Sequence, residues 1–300
     1  MIATEDVDPR TRHYREFYGL SEHALEAGLV IGNCQAESLR LVIDAADTPT
    51  VRVPPVHELE PSDMPHFERL LRGASFVVTQ PIRDDYRGLP VGMSQVRALL
   101  KDHARFAVVP VLRFTGLHPF QLIIRMGGRV EDPPLVPYHD VRALMRAAGL
   151  TPRQGLSADS VRATAAASVA ELARREQRSG ALPISDVFAA PEFDMMRTIN
   201  HPGNPVFLTL GARVLEAFGA PHPPVDPGRP LLASVQAPRE EWVAEAWGLT
   251  DATREGWIVD GAAVGAEVVA EAHARWYEER PEFVREALTV EADAVQAWAA

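Results

Sequence analysis

The fold is decided by the stretch Leu29-Val30-Ile31-Gly32-Asn33-Cys34-Gln35-Ala36-Glu37-Ser38-Leu39-Arg40, in which an apolar run leads into a tight turn that carries the only cysteine of the chain. Residues 28–31 have the β-branched, apolar composition of a short buried strand, and the glycine that follows permits a sharp turn. From residue 35 to residue 45, apolar side chains recur at the spacing of one helix face. The stretch therefore predicts a strand, a turn and a helix.

Cys34 would then stand at the N-terminus of that helix, where two interpretations remain open. Unpaired backbone N–H groups at a helix N-terminus favour negative charge, so the thiol is expected to ionise more easily than a free one and to act as a nucleophile. The alternative is a packed cysteine that behaves as a small hydrophobe. Because the chain has one cysteine, it offers neither an internal disulfide nor a Cys-based zinc site, and no metal is expected.

Further strand and helix patterns alternate along the chain. Residues 50–54, 74–80 and 106–112 have the composition of strands, and residues 62–72 and 94–103 that of helices. Parallel strands need a crossover connection, which is usually a helix. We therefore expect an α/β fold with a three-layer core around a mostly parallel sheet, and with added helices in the middle and at the C-terminus.

A polar, charged loop follows the predicted strand 74–80. Open α/β sheets place ligand contacts in loops at the carboxyl ends of their strands. Within the loop, Gln80 can donate to a developing oxyanion, and Arg83 and Arg87 can hold a phosphate, a carboxylate or a sugar. The alternative is a solvated surface loop with local ion pairs.

Two histidines are candidates for acid–base chemistry or ligand binding. His118 lies in a loop after the strand 106–112, where it can serve as a base or ligand, or can be a packed, hydrogen-bonded side chain. His201 lies directly before Pro202, which favours an extended backbone at the histidine. A cysteine nucleophile needs a base with a pKa near neutrality, and an imidazole supplies one.

An amide or carboxylate usually orients such an imidazole, and the nearby candidates are Asn200, Asn204 and Asp194. Spacing does not choose among them. The alternative for His201 is a loop histidine bonded to nearby backbone.

The remaining sequence suggests two domains. Residues 1–230 form an α/β catalytic core, which begins with a helical lead-in and contains a helical insertion at about 138–180. A proline-rich linker, 221–230, leads to a C-terminal helical segment, 231–300, that packs on the core and contains all five tryptophans. Within this segment, helices are predicted over 238–247, 261–279 and 281–299; residues 121–140 are left unassigned.

Composition narrows the classes of partner. The net charge is −11 and the chain has no dense Lys/Arg run, so we do not expect nucleic acid as a partner.

No apolar run approaches the ~20 residues that span a bilayer, and residues 1–10 are acidic and polar, unlike a secretory signal. We therefore expect a cytoplasmic protein.

Three motifs in this order resemble the WcbI-type polysaccharide biosynthesis proteins: Gly32-Asn33-Cys34-Gln35, the loop Gln80-Pro81 to Tyr86-Arg87-Gly88, and Asn200-His201-Pro202. The similarity covers about residues 28–220. These proteins are regarded as acetyltransferases of bacterial capsule assembly. The resemblance implies an α/β core loosely related to the SGNH/GDSL esterases, with Cys in place of their Ser, and the use of coenzyme A or its thioesters.

Carried over to this chain, the resemblance implies that Cys34 is the nucleophile, His201 the base and Gln80 a contributor to the oxyanion hole. Gly32, Asn33 and Gln35 belong to the donor-binding turn, and His118, Arg83 and Arg87 are further candidates for cofactor contacts. SGNH esterases place an Asp three residues before the His, where this chain has Thr198. Asn33 or Asn200 can orient the imidazole instead, or a thiolate–imidazolium pair can work without a third member.

The leading hypothesis is an acyltransferase that moves an acyl group, expected to be acetyl, from a coenzyme A thioester to a hydroxyl of a saccharide. The main alternative is an ester hydrolase with the same residues and water as the acceptor. A third interpretation, from another class, is a noncatalytic ligand-binding module with a structural cysteine. The sequence leaves the oligomeric state open.

Overall fold

The computed structural model describes residues 8–21, 26–250 and 253–300. Residues 1–7, the start of the predicted lead-in, lie outside the described residues. The helices are α1 Pro9–His13, α2 Cys34–Ile43, α3 Met64–Gly73, α4 Met93–Ala98, α5 Val141–Ala147, α6 Ala158–Ser179, α7 Asn204–Ala217, α8 Glu241–Trp247, α9 Ala266–Glu278, α10 Pro281–Val290 and α11 Ala292–Trp298. The strands are β1 Gly28–Ile31, β2 Thr50–Val51, β3 Phe76–Thr79, β4 Arg105–Val108, β5 Gln121–Leu122, β6 Arg125–Met126, β7 Arg129–Val130, β8 His139–Asp140, β9 Met196–Thr198, β10 His201–Pro202, β11 Val235–Gln236, β12 Trp257–Val259 and β13 Ala262–Val264.

The chain divides into two compact units, each built from three segments. The first unit comprises residues 1–112, 172–186 and 204–231, and the second comprises residues 113–171, 187–203 and 232–300. One boundary coincides with the predicted linker near residue 230. Elsewhere the division differs from the predicted one, because residues 113–171 and 187–203 group with the C-terminal segment and not with the sheet.

A four-stranded parallel sheet in the order β2-β1-β3-β4 forms the centre of the first unit. The chain leaves β1 for β2 on one side and later returns to β3 on the other side of β1. The strand order therefore reverses between β1 and β3, and this reversal is the place where open α/β sheets bind ligands, outside the carboxyl ends of the strands. The α/β fold predicted from the sequence is confirmed.

Helices cover both faces of this sheet. Phe67 and Leu71 of α3 lie in one core cluster with Leu29, Ile31 and Val77 of the strands. Right-handed crossovers that run in opposite directions along a sheet put their helices on opposite faces. The helix α2, which connects β1 to β2, accordingly belongs to the other face, where it packs closely against α7.

Several element boundaries differ from the predicted ones for local reasons. The strand predicted over 106–112 ends at Val108, because Pro110 has no N–H with which to continue a ladder. The helix predicted from Tyr138 begins at Val141, capped by the side chain of Asp140, which accepts from the Arg142 N–H. The unassigned residues 121–140 contain four two-residue strands.

The second unit has its own cores and small sheets. Its larger core cluster joins α5 to the C-terminal helices and includes Trp298 and Tyr277, both fully buried. The helix predicted over 261–279 is preceded by the hairpin β12–β13, whose turn, Asp260-Gly261, has positive φ at both residues (48° and 83°). An Asp-Gly pair between apolar residues is a strong hairpin signal that the helical interpretation overlooked.

Among the described helices, none combines the length and the apolar character that crossing a membrane requires. The described residues likewise contain no group of three or more His, Cys, Asp or Glu side chains arranged to hold a metal ion.

Candidate functional site

The turn after β1 is held by a glutamine from the neighbouring strand. The Gln80 N–H donates to the Ile31 carbonyl at 2.9 Å, and the Gln80 side-chain oxygen accepts from the Asn33 N–H at 2.9 Å. A Cβ at Gly32 would lie 2.4 Å from that same oxygen. Glycine is therefore required at position 32, because the Gln80 side chain fills the space beside it.

A second amide, Gln35, completes this arrangement. Its nitrogen donates to the Leu112 carbonyl and its oxygen accepts from the Leu112 N–H, both at 2.8 Å. The Gln80 nitrogen lies 3.3 Å from the same Gln35 oxygen and donates to it. Gln35 and Gln80 are only 3% and 4% exposed. These two buried amides hold the turn in place through their hydrogen bonds. Their predicted roles in cofactor binding and in the oxyanion hole stay predictions.

Cys34 is the first residue of α2, directly after Asn33, whose side-chain oxygen caps the helix by accepting from the Gln35 N–H at 2.9 Å. The thiol is partly exposed. Burial raises the pKa of Cys34, and the Glu58 charge adds to that effect, while the backbone N–H groups of Cys34 and Gln35 act in the opposite direction.

The expectation of an easily ionised thiol is therefore wrong for the protein without ligand. Loss of solvation outweighs the stabilisation that the helix N-terminus offers to a thiolate. The resting Cys34 is a thiol at neutral pH, so it needs a base to become a nucleophile.

The loop after β3 presents two exposed cations. Arg83 and Arg87 are both exposed, and neither forms an ion pair with another residue in the described part of the chain. The loop is fastened by Gln95, which donates to the Asp85 carboxylate at 2.7 Å and accepts from the Asp85 N–H at 3.1 Å. Both arginines thus extend from an ordered loop at the carboxyl end of β3, where an anionic ligand can reach them.

His201 lies in the second unit, in the hairpin β9–β10, where it pairs with Thr198. Its ring is hydrogen-bonded to the backbone of Val235, while its Nδ1 is buried without a hydrogen-bond partner among the described residues. Burial lowers the pKa of His201 to about 4, and the positive charge of Arg197 contributes in the same direction. The imidazole is therefore neutral at physiological pH, but in the protein without ligand its pKa lies below the near-neutral value expected of the base for a cysteine nucleophile.

Asn200 is held by a residue that sequence reasoning missed. The Tyr138 hydroxyl donates to the Asn200 side-chain oxygen at 2.7 Å, and Thr198, in the position of the esterase Asp, donates to the Tyr138 hydroxyl at 2.9 Å. The Tyr138 ring also meets the His201 ring edge-on, with centroids 6.0 Å apart. The sequence interpretation placed Tyr138 at the start of a helix, so its side chain carried no signal of this contact.

The other proposed orienting residues have different surroundings. Asn204 lies in the first unit, where its side chain donates to the Arg229 carbonyl at 2.9 Å and accepts from the Leu231 N–H at 2.8 Å. Asp194 is exposed. The His201 ring itself donates a hydrogen bond to backbone, at the Val235 carbonyl.

His118 is packed in the interior of the second unit. It is 1% exposed, and its Nε2 lies 3.0 Å from the Met196 carbonyl oxygen. Burial lowers its pKa to about 4. This arrangement corresponds to the packed alternative that the sequence left open, and a cofactor contact by His118 stays a prediction.

The predicted site residues thus form two local groups. The first unit contains Gly32, Asn33, Cys34, Gln35, Gln80, Arg83 and Arg87, and the second contains His118, Asn200 and His201. Within the first group, Asn33, Gln35 and Gln80 are directly hydrogen-bonded around the Cys34 turn. The pairing of Cys34 with His201 stays a prediction.

A protein-family profile described as "Polysaccharide biosynthesis enzyme WcbI" matches residues 27–223, which include every predicted site residue. The chain belongs to the WcbI family of polysaccharide biosynthesis enzymes. The sequence resemblance is thereby confirmed, and so is the prediction that the protein is an enzyme.

A solved WcbI structure has the same fold. It superposes with a TM-score of 0.76 at 16% sequence identity, and the match covers 91% of this chain and 99% of the other. It is described as the native protein of a novel polysaccharide biosynthesis enzyme, without a disulfide bond between coenzyme A and a cysteine. Among curated proteins, none matches the chain. The WcbI fold therefore extends over the C-terminal residues that lie beyond the family match.

Proposed function

We propose that this WcbI protein is an acyltransferase that moves an acetyl group from a coenzyme A thioester to a hydroxyl of a saccharide in the cytoplasm. The observation that carries the proposal is the position of Cys34, which starts α2 at the carboxyl end of β1, beside the reversal of strand order. The description of the related structure, which mentions a disulfide between coenzyme A and a cysteine, supports a thiol close to the ligand's sulfur.

Cys34 is the nucleophile in this proposal. Its sulfur forms a bond to the acyl carbon while the bond from that carbon to the coenzyme A sulfur breaks, and its proton passes by way of His201 to the departing thiolate. In the second half, the saccharide hydroxyl bonds to the acyl carbon and gives its proton to His201. The bond from the acyl carbon to the Cys34 sulfur then breaks, and the proton returns to the sulfur as the thiol forms again.

The local contacts support the roles of the other residues. The backbone N–H groups of Cys34 and Gln35 act to lower the pKa of the Cys34 thiol, so they favour negative charge on its sulfur. The neutral His201 can accept a proton. The exposed Arg83 and Arg87 are suited to the phosphates of coenzyme A, since a guanidinium can bind a phosphate through two parallel hydrogen bonds.

Mass spectrometry of the intact protein tests the covalent step. Incubation with acetyl-coenzyme A should add one acetyl group to the wild-type protein, labile to hydroxylamine, and none to Cys34→Ala. Gly73→Ala, at an open position outside the site, is the matched control and should be acetylated like the wild type. Acetyl transfer that survives Cys34→Ala would contradict the covalent proposal, and release of acetate at the same rate without any sugar would identify a hydrolase instead.

A further inference from the structure

The strand β4 forms an open edge of the parallel sheet, since β3 is the one described strand that pairs with it. The Arg105 N–H donates to the Ser75 carbonyl at 3.0 Å. Alternate residues of a strand bond to the same neighbour, so Phe106 and Val108 direct their backbone groups away from β3. The Leu182 N–H accordingly donates to the Val108 carbonyl at 2.8 Å. In the described part of the chain, no backbone hydrogen bond reaches the N–H or the carbonyl of Phe106.

A cavity of about 640 Å³ lies along this open edge. All four residues of β4 line it, together with residues of α4, the end of α7 and residues between 179 and 182, which belong to the same unit. Natural proteins usually cover or shorten an edge strand, because its unpaired N–H and C=O groups are a template for another strand. Here the edge stays accessible between two helices, in a space of the size that ligand sites have.

Two arginines border the cavity on opposite faces of the sheet. Consecutive side chains of a strand point to opposite faces, so Arg105 and Phe106 lie on different ones. The Arg105 guanidinium donates to the Phe218 carbonyl at the end of α7, at 2.7 Å. Arg97, on α4, lies over the Phe106 ring, 5.1 Å from its centre. The open edge therefore has one guanidinium on each side.

The charge of this cavity is positive, although the chain as a whole has a net charge of −11. Neither Arg97 nor Arg105 forms an ion pair with a described residue, and no Asp or Glu of the described chain lines the cavity. Asp84 accepts from the hydroxyl of Ser94, a lining residue, without lining the cavity itself. The cavity thus offers open backbone groups and two cations, which are complementary to an extended backbone that carries carboxylates.

We propose that the open edge of β4 binds an extended segment of a partner protein that carries two consecutive acidic residues. The segment adds a fifth strand to the sheet, and its backbone bonds to the N–H and the carbonyl of Phe106. Its adjacent side chains point to opposite faces, so one carboxylate meets Arg105 and the next meets Arg97.

A second copy of the chain fits this edge less well than an acidic segment does. If two copies paired through their β4 strands, Arg97 and Arg105 of each copy would lie close to those of the other. Like charges on paired strands are destabilising. The charge of the cavity therefore favours a partner of opposite charge.

Fluorescence anisotropy with the whole chain tests this inference. The probe is a labelled hexapeptide with blocked ends, Thr-Val-Glu-Glu-Val-Thr, and its control has two lysines in place of the glutamates. Two further peptides carry a methyl group on the backbone nitrogen of the first or of the second glutamate. Adjacent N–H groups of a strand point in opposite directions, so only one of these methyl groups faces β4.

The wild-type protein should bind the acidic peptide and not the lysine peptide. One methylated peptide should bind about tenfold more weakly, because a main-chain hydrogen bond is lost, and the other should bind like the parent peptide.

Arg97→Gln and Arg105→Gln should each weaken the binding of the acidic peptide by up to about fivefold, the upper contribution of an exposed ion pair. Arg97→Gln removes no hydrogen bond seen in the structure, so it stays informative even if the loss of the Phe218 contact perturbs Arg105→Gln. Arg72→Gln changes another exposed helical arginine of the first unit, outside the cavity, and should leave the affinity unchanged.

No binding of the acidic peptide, equal binding of the lysine peptide or equal effects of the two methyl groups would overturn the proposal. Displacement of the peptide by an equal concentration of N-acetylglutamate would overturn it in favour of a small anion. Hydrogen-exchange protection of residues 105–108 that falls when the protein alone is diluted would overturn it in favour of a second copy. Cys34→Ala should bind the peptide as the wild type does, so this site and acyl transfer are tested separately.

Discussion

At the scale of single residues, the turn that carries Cys34 depends on the absence of a side chain at Gly32. The Gln80 oxygen needs that space to accept from the Asn33 N–H, and three atoms of the Gln80 side chain lie within 3 Å of the position of a Cβ at Gly32. Backbone at the start of α2 is thus set by a side chain 47 residues away in the sequence.

Gly32→Ala should lower the free energy of unfolding by about 1–3 kcal/mol, since the added methyl group overpacks against Gln80. Gln80→Ala should cost about 1–3 kcal/mol because it leaves the Asn33 N–H without its partner. Urea unfolding of the double variant should show a loss smaller than the sum, because the clash is removed with the glutamine. Gly73→Ala, at a position with open space, is the control, and fully additive losses would contradict this coupling.

The ionisation of Cys34 can be measured directly. Because burial raises its pKa, the rate of alkylation by iodoacetamide should reach half of its plateau at a higher pH than for a free cysteine, about 8.5. The alkylated residue is unambiguous, since the chain has one cysteine. A midpoint below that of free cysteine, measured without ligand, would show that the helix N-terminus outweighs burial after all.

At the scale of elements, a buried carboxylate fastens the N-terminal helix α1 to the turn before α3. Asp63 is 1% exposed and accepts hydrogen bonds from the Arg10 guanidinium at 2.8 and 3.0 Å and from the Tyr18 hydroxyl at 2.8 Å. Burial alone would raise the pKa of Asp63, but these hydrogen bonds and one from the Glu60 N–H lower it below its usual value.

Asp63→Asn should reduce the free energy of unfolding by about 2 kcal/mol at pH 7, as expected for hydrogen bonds to a charged group. A carboxylate with a lowered pKa in the folded state stabilises fully above its unfolded pKa, about 3.9, and less as the pH falls through the folded value. The difference between the variant and the wild type should therefore narrow below about pH 4.

The control for this experiment is Asp186→Asn. Asp186 also pairs with an arginine, Arg213, at 2.7 Å, but its side chain is 65% exposed. Exposed pairs contribute about 0–1 kcal/mol. Equal losses for the two variants, measured by urea unfolding, would mean that burial of Asp63 adds nothing to the fastening of α1.

At the scale of the whole molecule, histidines whose pKa is lowered are concentrated in the second unit. Burial lowers the pKa of four histidines that all lie in the second unit, namely His118, His139, His201 and His273. For the first three the folded value is about 4. His139, for example, is enclosed between the Tyr277 hydroxyl and the Glu131 carbonyl, each 2.7 Å from one ring nitrogen.

Acidification should therefore destabilise the second unit first. Each buried histidine stabilises the fold above its unfolded pKa of about 6.5, and this contribution falls with pH down to the folded value, by about 1.4 kcal/mol per pH unit. Hydrogen exchange followed by mass spectrometry at pH 7 and pH 5 should show protection lost in residues 113–171 before residues 26–112. His139→Phe should reduce the difference, and equal loss of protection in both units would contradict the prediction.

Local patterns along the chain were sufficient to predict the parallel sheet and the helix that begins at Cys34. They were also sufficient to select His201 and the loop at Gln80 as candidates for the site. A period of two or of 3.6 residues is visible in a short window, and proline and glycine mark where elements end. The hairpin at Asp260-Gly261 was also readable from the sequence, but the helical interpretation of the C-terminal segment overlooked it.

Only the tertiary structure decided which distant side chains meet and how far each is removed from water. The Cys34 turn depends on Gln80, and Tyr138 contacts Asn200, yet neither pair is related by a local spacing. The pKa of Cys34 is raised for the same reason. The solvation of a group depends on everything packed around it, which a short stretch of sequence does not show. A helix N-terminus, in contrast, is recognisable from a few residues. For Cys34, the loss of solvation is the larger effect on the pKa.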